Sequence, residues 1–314
     1  MIEVKHLTKS FGQFTAVNDV SFRVKEGETF ALLGPNGSGK TTTLKCLIGL
    51  SVPTKGEITI NGLDLQRSAR EAKRLISFLP QRLSFHENLT AREVMKFYCD
   101  LRKLPARRID DVMHNSHFDF TGFCHNPVGE LSGGMVQRLG LSVACLPYSP
   151  ILLRDEPTVS LDPEGAIRVR EVLALLKSEG KTIVFSSHVL ADVERLADRV
   201  AILVNGKLVA IESIAALREE LMRSCRMRIV MSNSGEKWPN ELWAAAAREA
   251  GASGALLEGD SLLVTSRAED RMKVLRAIET SGGRVVRFAT EELSLEDIYL
   301  NYIHAESAGD KQKH

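Results

Sequence analysis

The chain has 314 residues, 44% of them apolar, and its 41 basic and 40 acidic side chains leave a formal charge of +1. Such a length holds one large domain with a small one, or two ordinary domains. The balanced charge excludes a general attraction to nucleic acid or to acidic membranes. The five cysteines, Cys46, Cys99, Cys124, Cys145 and Cys225, are odd in number and form no C-x-x-C pair, the usage of reduced apolar fillers in a cytosolic protein. Met1-Ile2-Glu3-Val4-Lys5 lacks the charged-then-apolar pattern of a signal peptide, and no apolar run approaches the roughly 18 residues of a spanning helix. Any membrane role is therefore expected to come through a separate chain.

Ile2 to Leu7 and Ala16 to Val24 alternate apolar and polar residues, which predicts two half-buried strands, the second closing at Lys25-Glu26-Gly27. Between them Phe11 precedes Gly12, and an aromatic there either stacks on the adenine of a nucleotide or fills a core. Thr29 to Leu33 reads as a buried strand and leads into Gly34-Pro35-Asn36-Gly37-Ser38-Gly39-Lys40-Thr41, which fits G-x-x-x-x-G-K-[ST] without a gap. Leu44, Leu47 and Ile48 then repeat at helical spacing. The three glycines let the backbone curl so that successive N–H groups face inward, and the following helix turns its positive end to the same point. The result is a phosphate cradle in which Lys40 reaches the β and γ phosphates as a point charge and Thr41 sets its hydroxyl on Mg2+.

Gly56 to Gly62 is predicted as a short strand closed by an Asn-Gly turn, and Leu75 to Leu79 as a buried strand with Gln81 just past its end. Gln81 is either a solvated loop residue or a donor of an amide oxygen to Mg2+ or the attacking water. From about Thr90 to His125 the pattern turns helical, with Thr90 and Glu93 spaced as a capping box and Val94, Phe97, Tyr98 and Leu101 on one face. His114, His117, Cys124 and His125 lie close in sequence, but their spacing matches no established ligand pattern and ordinary surface or half-buried residues are preferred over a metal site.

Leu131-Ser132-Gly133-Gly134-Met135 opens a predicted helix that Pro147 stops. Ser132 and the glycines at that start form a second anion site, since the N–H groups are exposed and no bulky side chain stands in the way. Two phosphate-binding helix starts with one phosphate loop invite the idea that two chains share each nucleotide. Ile151 to Arg154 is an apolar strand delivering Asp155 and Glu156, placed to hold Mg2+ and to polarise water respectively. After a turn through Asp162-Pro163, a helix carries Val169, Val172, Leu173 and Leu176 on one face. Thr182 to Phe185 is the next strand, with Ser186-Ser187-His188 at its C-terminal end, where open parallel sheets place ligand groups. Val200 to Ile211 reads as a hairpin turning at Asn205-Gly206.

Beyond a linking helix from Ile214 to Leu221, the expected order is a strand (Met227 to Met231), a helix, a hairpin, a helix, a strand (Arg284 to Phe288) and a last helix from Ser294 to Ile303. This βαββαβ order suits a small ferredoxin-like sandwich. The expected boundaries are 1–220 for the large domain, with a helical subdomain at about 90–150, then 221–306 for the small α+β domain and 307–314 for a disordered polar tail.

These elements together resemble the ATP-binding cassette ATPases, the nucleotide-binding subunits of ABC transporters, over the first two-thirds of the chain. The resemblance implies an α/β P-loop cassette with a mixed sheet core, an antiparallel β subdomain and a helical subdomain. It places Walker A on Gly34 to Thr41, the A-loop aromatic on Phe11, the Q-loop on Gln81 and the LSGGQ signature on Leu131 to Met135. Walker B ends at Asp155, the catalytic carboxylate corresponds to Glu156, the D-loop to Ser160-Leu161-Asp162 and the switch histidine to His188. The implied nucleotide contacts are Phe11, Gly34, Pro35, Asn36, Gly37, Ser38, Gly39, Lys40, Thr41 and Thr42, with Ser132, Gly133 and Gly134 from a second cassette. Thr41, Gln81 and Asp155 would serve Mg2+, and Glu156 and His188 hydrolysis. The implied cofactors are ATP and Mg2+. The implied partners are a separate transmembrane permease and a second cassette, a like copy preferred over an unlike one, with no nucleic acid and a location on the inner face of the cell membrane. The last third is similar to the small C-terminal domains of single-cassette export-type ATPases. The stretch from Phe78 to Arg82, with Phe85 to Thr90, Val159 and Ser160, also resembles the ATPase of systems that mature copper-containing nitrous oxide reductase.

Two residues depart from the family pattern. Met135 replaces a glutamine, losing an amide. Arg154 replaces an apolar residue before Asp155; it either turns inward and disturbs the carboxylates or turns outward to solvent or a partner. The outward direction is preferred, and Arg154→Leu is expected to raise or leave unchanged the ATPase rate. Two other readings stand beside the transporter motor: a soluble clamp acting on a ribosome or DNA, and a regulatory nucleotide-binding module with weak turnover.

Overall fold

The structure is a computed structural model and describes residues 1–113, 122–159, 161–231, 240–258, 261–291, 294–300 and 302. The chain divides into two compact units, Met1–Ile214 and one beginning at Ala215.

The first unit opens with β1 (Ile2–Phe11) and β2 (Phe14–Val24), an antiparallel hairpin in which Ile2, Val4, Leu7, Val17, Val20 and Val24 turn to the core. Both strands extend to the turn at Gly12, past the stretches that alternation predicted. β3 (Thr29–Leu33) is buried throughout and feeds the phosphate loop and α1 (Lys40–Leu47). β4 (Lys55–Ile60) and β5 (Leu63–Asp64) join the hairpin to make a four-stranded sheet ordered β2-β1-β4-β5, the Asn61-Gly62 turn taking positive φ at both residues. Then follow α2 (Ala69–Arg74), β6 (Ile76–Leu79), α3 (Ala91–Leu101), α4 (Arg107–Met113), α5 (Gly133–Cys145), β7 (Ile151–Arg154), α6 (Pro163–Ser178), β8 (Thr182–Ser187), α7 (Leu190–Leu196), β9 (Arg199–Val204) and β10 (Lys207–Ser213). The Thr90–Glu93 capping box that starts α3 is formed in both directions.

Six strands form the second sheet, ordered β10-β9-β3-β8-β7-β6, with β9, β3, β8, β7 and β6 parallel and β10 returning antiparallel through the Asn205-Gly206 turn. Leu44 and Leu47 of α1 share one apolar core with Ile2 and Ile60 of the first sheet and Phe30, Leu32 and Leu153 of the second. Phe22 stacks on Phe30 across that core at 5.3 Å. The C-terminal ends of β3, β8 and β7 therefore lie side by side, and three separate stretches of sequence meet there.

The second unit comprises α8 (Ile214–Arg223, starting at the join), β11 (Ser224–Met231), α9 (Asn240–Glu249), β12 (Ala252–Glu258), β13 (Ser261–Arg267), α10 (Arg271–Thr280) and β14 (Val285–Glu291). The expectation of a join after residue 220 differs from this: the helix at the join opens the second unit instead of closing the first. The four strands form an antiparallel sheet ordered β12-β13-β11-β14, and Met227, Ile229, Leu262 and Val264 make a core with Trp243, Val274 and Ile278 from its helices. Residues 295–300 are helical, and Ser294 and Asp297 cap that start reciprocally. The tail from 307 to 314 lies outside the described residues.

Candidate nucleotide site

The phosphate loop is fixed by contacts that only glycine allows. A Cβ on Gly34 would stand 2.2 Å from the Leu203 carbonyl oxygen, and one on Gly39 would stand 2.5 Å from that of Ala16. Gly37 and Gly39 sit at φ 83° and 96°, in the left-handed region. Gly39 is the N-cap of α1 and offers no side-chain cap, so the first N–H groups of the helix remain available to an anion. Ser38 is buried and its hydroxyl has no hydrogen-bond partner. An orphaned buried hydroxyl in a glycine-rich loop at a helix start fits a phosphate ligand.

Lys40 is buried, and its Nζ donates to the carbonyls of Gly34 at 2.8 Å and Pro35 at 3.0 Å while standing 3.8 Å from Glu156 Oε1. Burial lowers the pKa of its ammonium, against the pull of Glu156 and Asp155. Thr41 Oγ1 donates to Asp155 Oδ1 at 3.1 Å, so a hydroxyl from α1 and a carboxylate from the end of β7 face one another. Two hard oxygen donors beside a phosphate cradle suit Mg2+.

Ser186, at the end of β8, belongs to no motif in the sequence, yet it joins the two acidic residues. Its hydroxyl donates to Asp155 Oδ1 at 2.5 Å and accepts from the Glu156 N–H at 3.0 Å, with Ser186 fully buried. Only its place at a strand end hinted at this. Glu156 is held at φ 48°, an unusual backbone for a glutamate, with its carboxylate almost wholly buried. His188 Nδ1 lies 3.0 Å from Glu156 Oε2, and the imidazole is partly exposed. Lys40, Thr41, Asp155, Glu156 and His188 are thus brought together, from α1, from the segment after β7 and from the segment after β8.

The remaining predicted contacts lie around this centre. Phe11 is 54% exposed at the hairpin tip with the Lys9 ammonium 4.8 Å from its ring centre, which removes the core-aromatic alternative. The Ala16 carbonyl and the Val17 side chain of β2, a few residues along, pack against Gly39. Gln81 is exposed in the loop after β6 and makes no hydrogen bond to Thr41 or Asp155.

Ser132 is the N-cap of α5, its hydroxyl accepting from the Met135 N–H at 3.3 Å and keeping its own proton to donate. Asp162 caps α6 in the same way through the Gly165 N–H at 3.0 Å. The two helix starts converge on a shallow concavity lined by Ser132, Gly134, Met135, Arg138, Asp162 and Arg168, which includes no phosphate-loop residue. A Cβ on Gly133 would meet nothing within 4 Å, so the fold itself does not require that glycine.

Arg154 corrects the expectation of an outward side chain. It is 1% exposed, and its Nη2 donates to Gln137 Oε1 at 2.9 Å and to the Pro157 carbonyl at 2.6 Å. Nε and Nη1 have no partner, and burial lowers its pKa to about 9. Among the described residues no carboxylate pairs with it, and its hydrogen-bond partners are Gln137 and Pro157, so it turns inward without engaging Asp155 or Glu156. His114, His117 and Ser160 lie outside the described residues; Cys124 is buried and His125 exposed, and among the described residues no group of three or more His, Cys, Asp or Glu side chains is arranged to hold a metal.

Residues 17–159 match the ABC transporter family. The whole length of YxlF of Bacillus subtilis, an uncharacterized ABC transporter ATP-binding protein, aligns with 97% of this chain at 34% identity. The Nod factor export ATP-binding protein I of a Rhizobium species is 38% identical over 70% of this chain and 73% of its own. Among solved structures, a dimeric ATP-binding cassette in a post-hydrolysis state with ADP and Pi has 26% identity and a TM-score of 0.60, covering 68% of this chain and 99% of its own.

Proposed function

Because this chain belongs to the ABC transporter family of ATP-binding proteins, we propose that it is the ATP-hydrolysing motor of a membrane exporter, acting as a head-to-tail pair of like chains. The chain is an ATPase of the cassette type. The observation that carries the assignment of residues is the junction of Thr41, Asp155, Ser186, Glu156 and His188 beside the phosphate loop.

The loop N–H groups and Lys40 bind the phosphates, and Lys40 leaves the Gly34 and Pro35 carbonyls to do so. Thr41 and Asp155 would hold Mg2+, joined by Gln81 from the loop after β6. Mg2+, when bound, offsets negative charge on the phosphates. Glu156 orients and polarises the attacking water, and His188 fixes the carboxylate and faces the γ phosphate. The second cassette presents Ser132, Gly133 and Gly134 to that phosphate. ATP then bridges two chains, and its hydrolysis releases them, driving a separate permease between two states.

Export is supported by the relative named for Nod factor export. Among the described residues no helix is long and apolar enough to cross a membrane, which fits a separate permease and a place for this chain on the membrane's inner face. The test is purification from detergent-solubilised native membranes, with ATPase activity measured for wild type and Glu156→Gln. A polytopic membrane chain that comes down with the protein, and a Glu156→Gln form that retains ATP without turnover, are expected. Ribosomes or nucleic acid in its place would sink the exporter reading and favour a soluble clamp.

A further inference from the structure

Arg154 carries a guanidinium into the interior, where none of the described acidic residues meets it. Burying an unpaired charge is costly, and an apolar side chain of similar volume is often neutral or stabilising in its place. Packing alone does not call for an arginine at the end of β7, where Ile151, Leu152 and Leu153 fill the same strand with hydrocarbon.

The geometry shows what the charge touches. Pro157 follows Glu156 directly, and the Pro157 carbonyl accepts from Arg154 Nη2 at 2.6 Å. On its other side the Glu156 N–H is tied to Ser186. A glutamate in the left-handed region needs such over-determination, because the surrounding contacts must hold a backbone that the residue disfavours. The same Nη2 donates to Gln137 Oε1 on α5, the helix that begins at Ser132. A single nitrogen therefore links the peptide after the carboxylate to the helix that faces the second cassette.

We propose that Arg154 is a positioning residue: by fastening the Pro157 carbonyl to Gln137 of α5, it makes the placement of the Glu156 carboxylate depend on how that helix is seated. The inference rests on Glu156 being the hydrolytic carboxylate. It replaces the expectation that Arg154→Leu is neutral or activating. Because Nε and Nη1 hold nothing, the whole link runs through Nη2 and can be lost by a small movement of α5.

The test compares wild type, Arg154→Met, Arg154→Lys, Gln137→Leu, the Arg154→Met/Gln137→Leu double variant and Glu156→Gln in the full chain, by kcat, KM for ATP and thermal melting. Arg154→Met is expected to melt no lower than wild type, to keep KM within about twofold and to lose about tenfold or more in kcat. Arg154→Lys keeps a charged donor and should recover most of the rate. Gln137→Leu should lower kcat by about fivefold, and the double variant should be no slower than Arg154→Met, since both cut one link. An Arg154→Met enzyme with undiminished kcat overturns the inference, as does a loss of kcat that travels with a lower melting temperature or is fully additive with Gln137→Leu. If Arg154→Met does not fold, Gln137→Leu decides, and an undiminished kcat there has the same force. Glu156→Gln separates the two levels: if it turns over normally, the hydrolytic assignment fails first; if it is dead while Arg154→Met is normal, only the positioning role fails.

Discussion

The starts of α1 and α5 both expose helix N–H groups, but they are finished in opposite ways. At α1 the loop is packed at both ends, with Gly34 and Gly39 pressed against backbone carbonyls, Lys40 folded inward and Ser38 buried, while Asn36 and Gly37 at its tip are exposed. At α5 a serine caps the helix and Gly133 faces open space. The first is a cradle complete within one chain. The second is open, and on the reading proposed above it is one wall of a site that a second chain completes.

That contrast is broken most severely by Lys40→Ala. Removing the one buried cation of the cradle should lower turnover by about 100-fold or more and weaken ATP binding with it. Gly133→Asp should abolish turnover to a similar degree, because it sets a like charge where a partner's γ phosphate would come, yet leave binding of ATP to the single chain intact. Equilibrium binding with a fluorescent ATP analogue separates the two. In a head-to-tail pair of these variants, one of the two sites keeps both a normal cradle and a normal Ser132–Gly134 wall. Mixing the two inactive proteins should therefore restore ATPase activity, and a mixture as dead as its parts would break the idea of two half-sites.

Gly34→Ala tests the closed side by packing alone. With backbone 2.2 Å from the new methyl group, the loop must shift, and a loss of roughly 1–3 kcal/mol of stability is expected with the loss of nucleotide binding. Gly133→Ala should melt at the wild-type temperature, since its methyl group meets nothing within 4 Å. Equal melting of the two alanine variants would erase the distinction.

The parts of the site that were legible in sequence are those carried by contiguous residues. The loop from Gly34 to Thr41, the Asp155-Glu156 pair after an apolar strand and His188 after another each sit in a local context that names their chemistry. Ser186 was not legible in the same way, because its bond to Asp155 depends on β8 lying beside β7, and strand order is set by packing across the sheet. Arg154 misled for a related reason. Alternation assigns a side chain to solvent only when one face of the sheet is wet, whereas all four residues of β7 are buried. The Thr90 capping box was readable because both partners lie within one turn. The join between units was displaced to Ile214 because a helix that starts at a boundary carries the same pattern as one that ends there.

The far end of α5 completes the contrast with its open start. There Arg108 donates to the carbonyls of Cys145 at 3.0 Å and Leu146 at 2.8 Å, satisfying groups that a helix end leaves orphaned, and its guanidinium stacks on Tyr148 at 3.8 Å. Burial at this locked end pushes the Cys145 thiol up to about 11. A thiol whose folded pKa lies above its unfolded value of 9.0 contributes stability that is fully present below pH 9 and is lost as pH rises through about 11. By pH 11 the loss is on the order of 2 kcal/mol. Urea unfolding at pH 8 and pH 11 should thus show wild type falling further than Cys145→Ala, with the gap between them closing at the higher pH. If both lose the same stability, the thiol titrates freely and the C-terminal end of α5 opens. The helix would then not be the rigid lever, fixed at one end and free at the other, through which Gln137 could report the seating of Ser132 to Glu156.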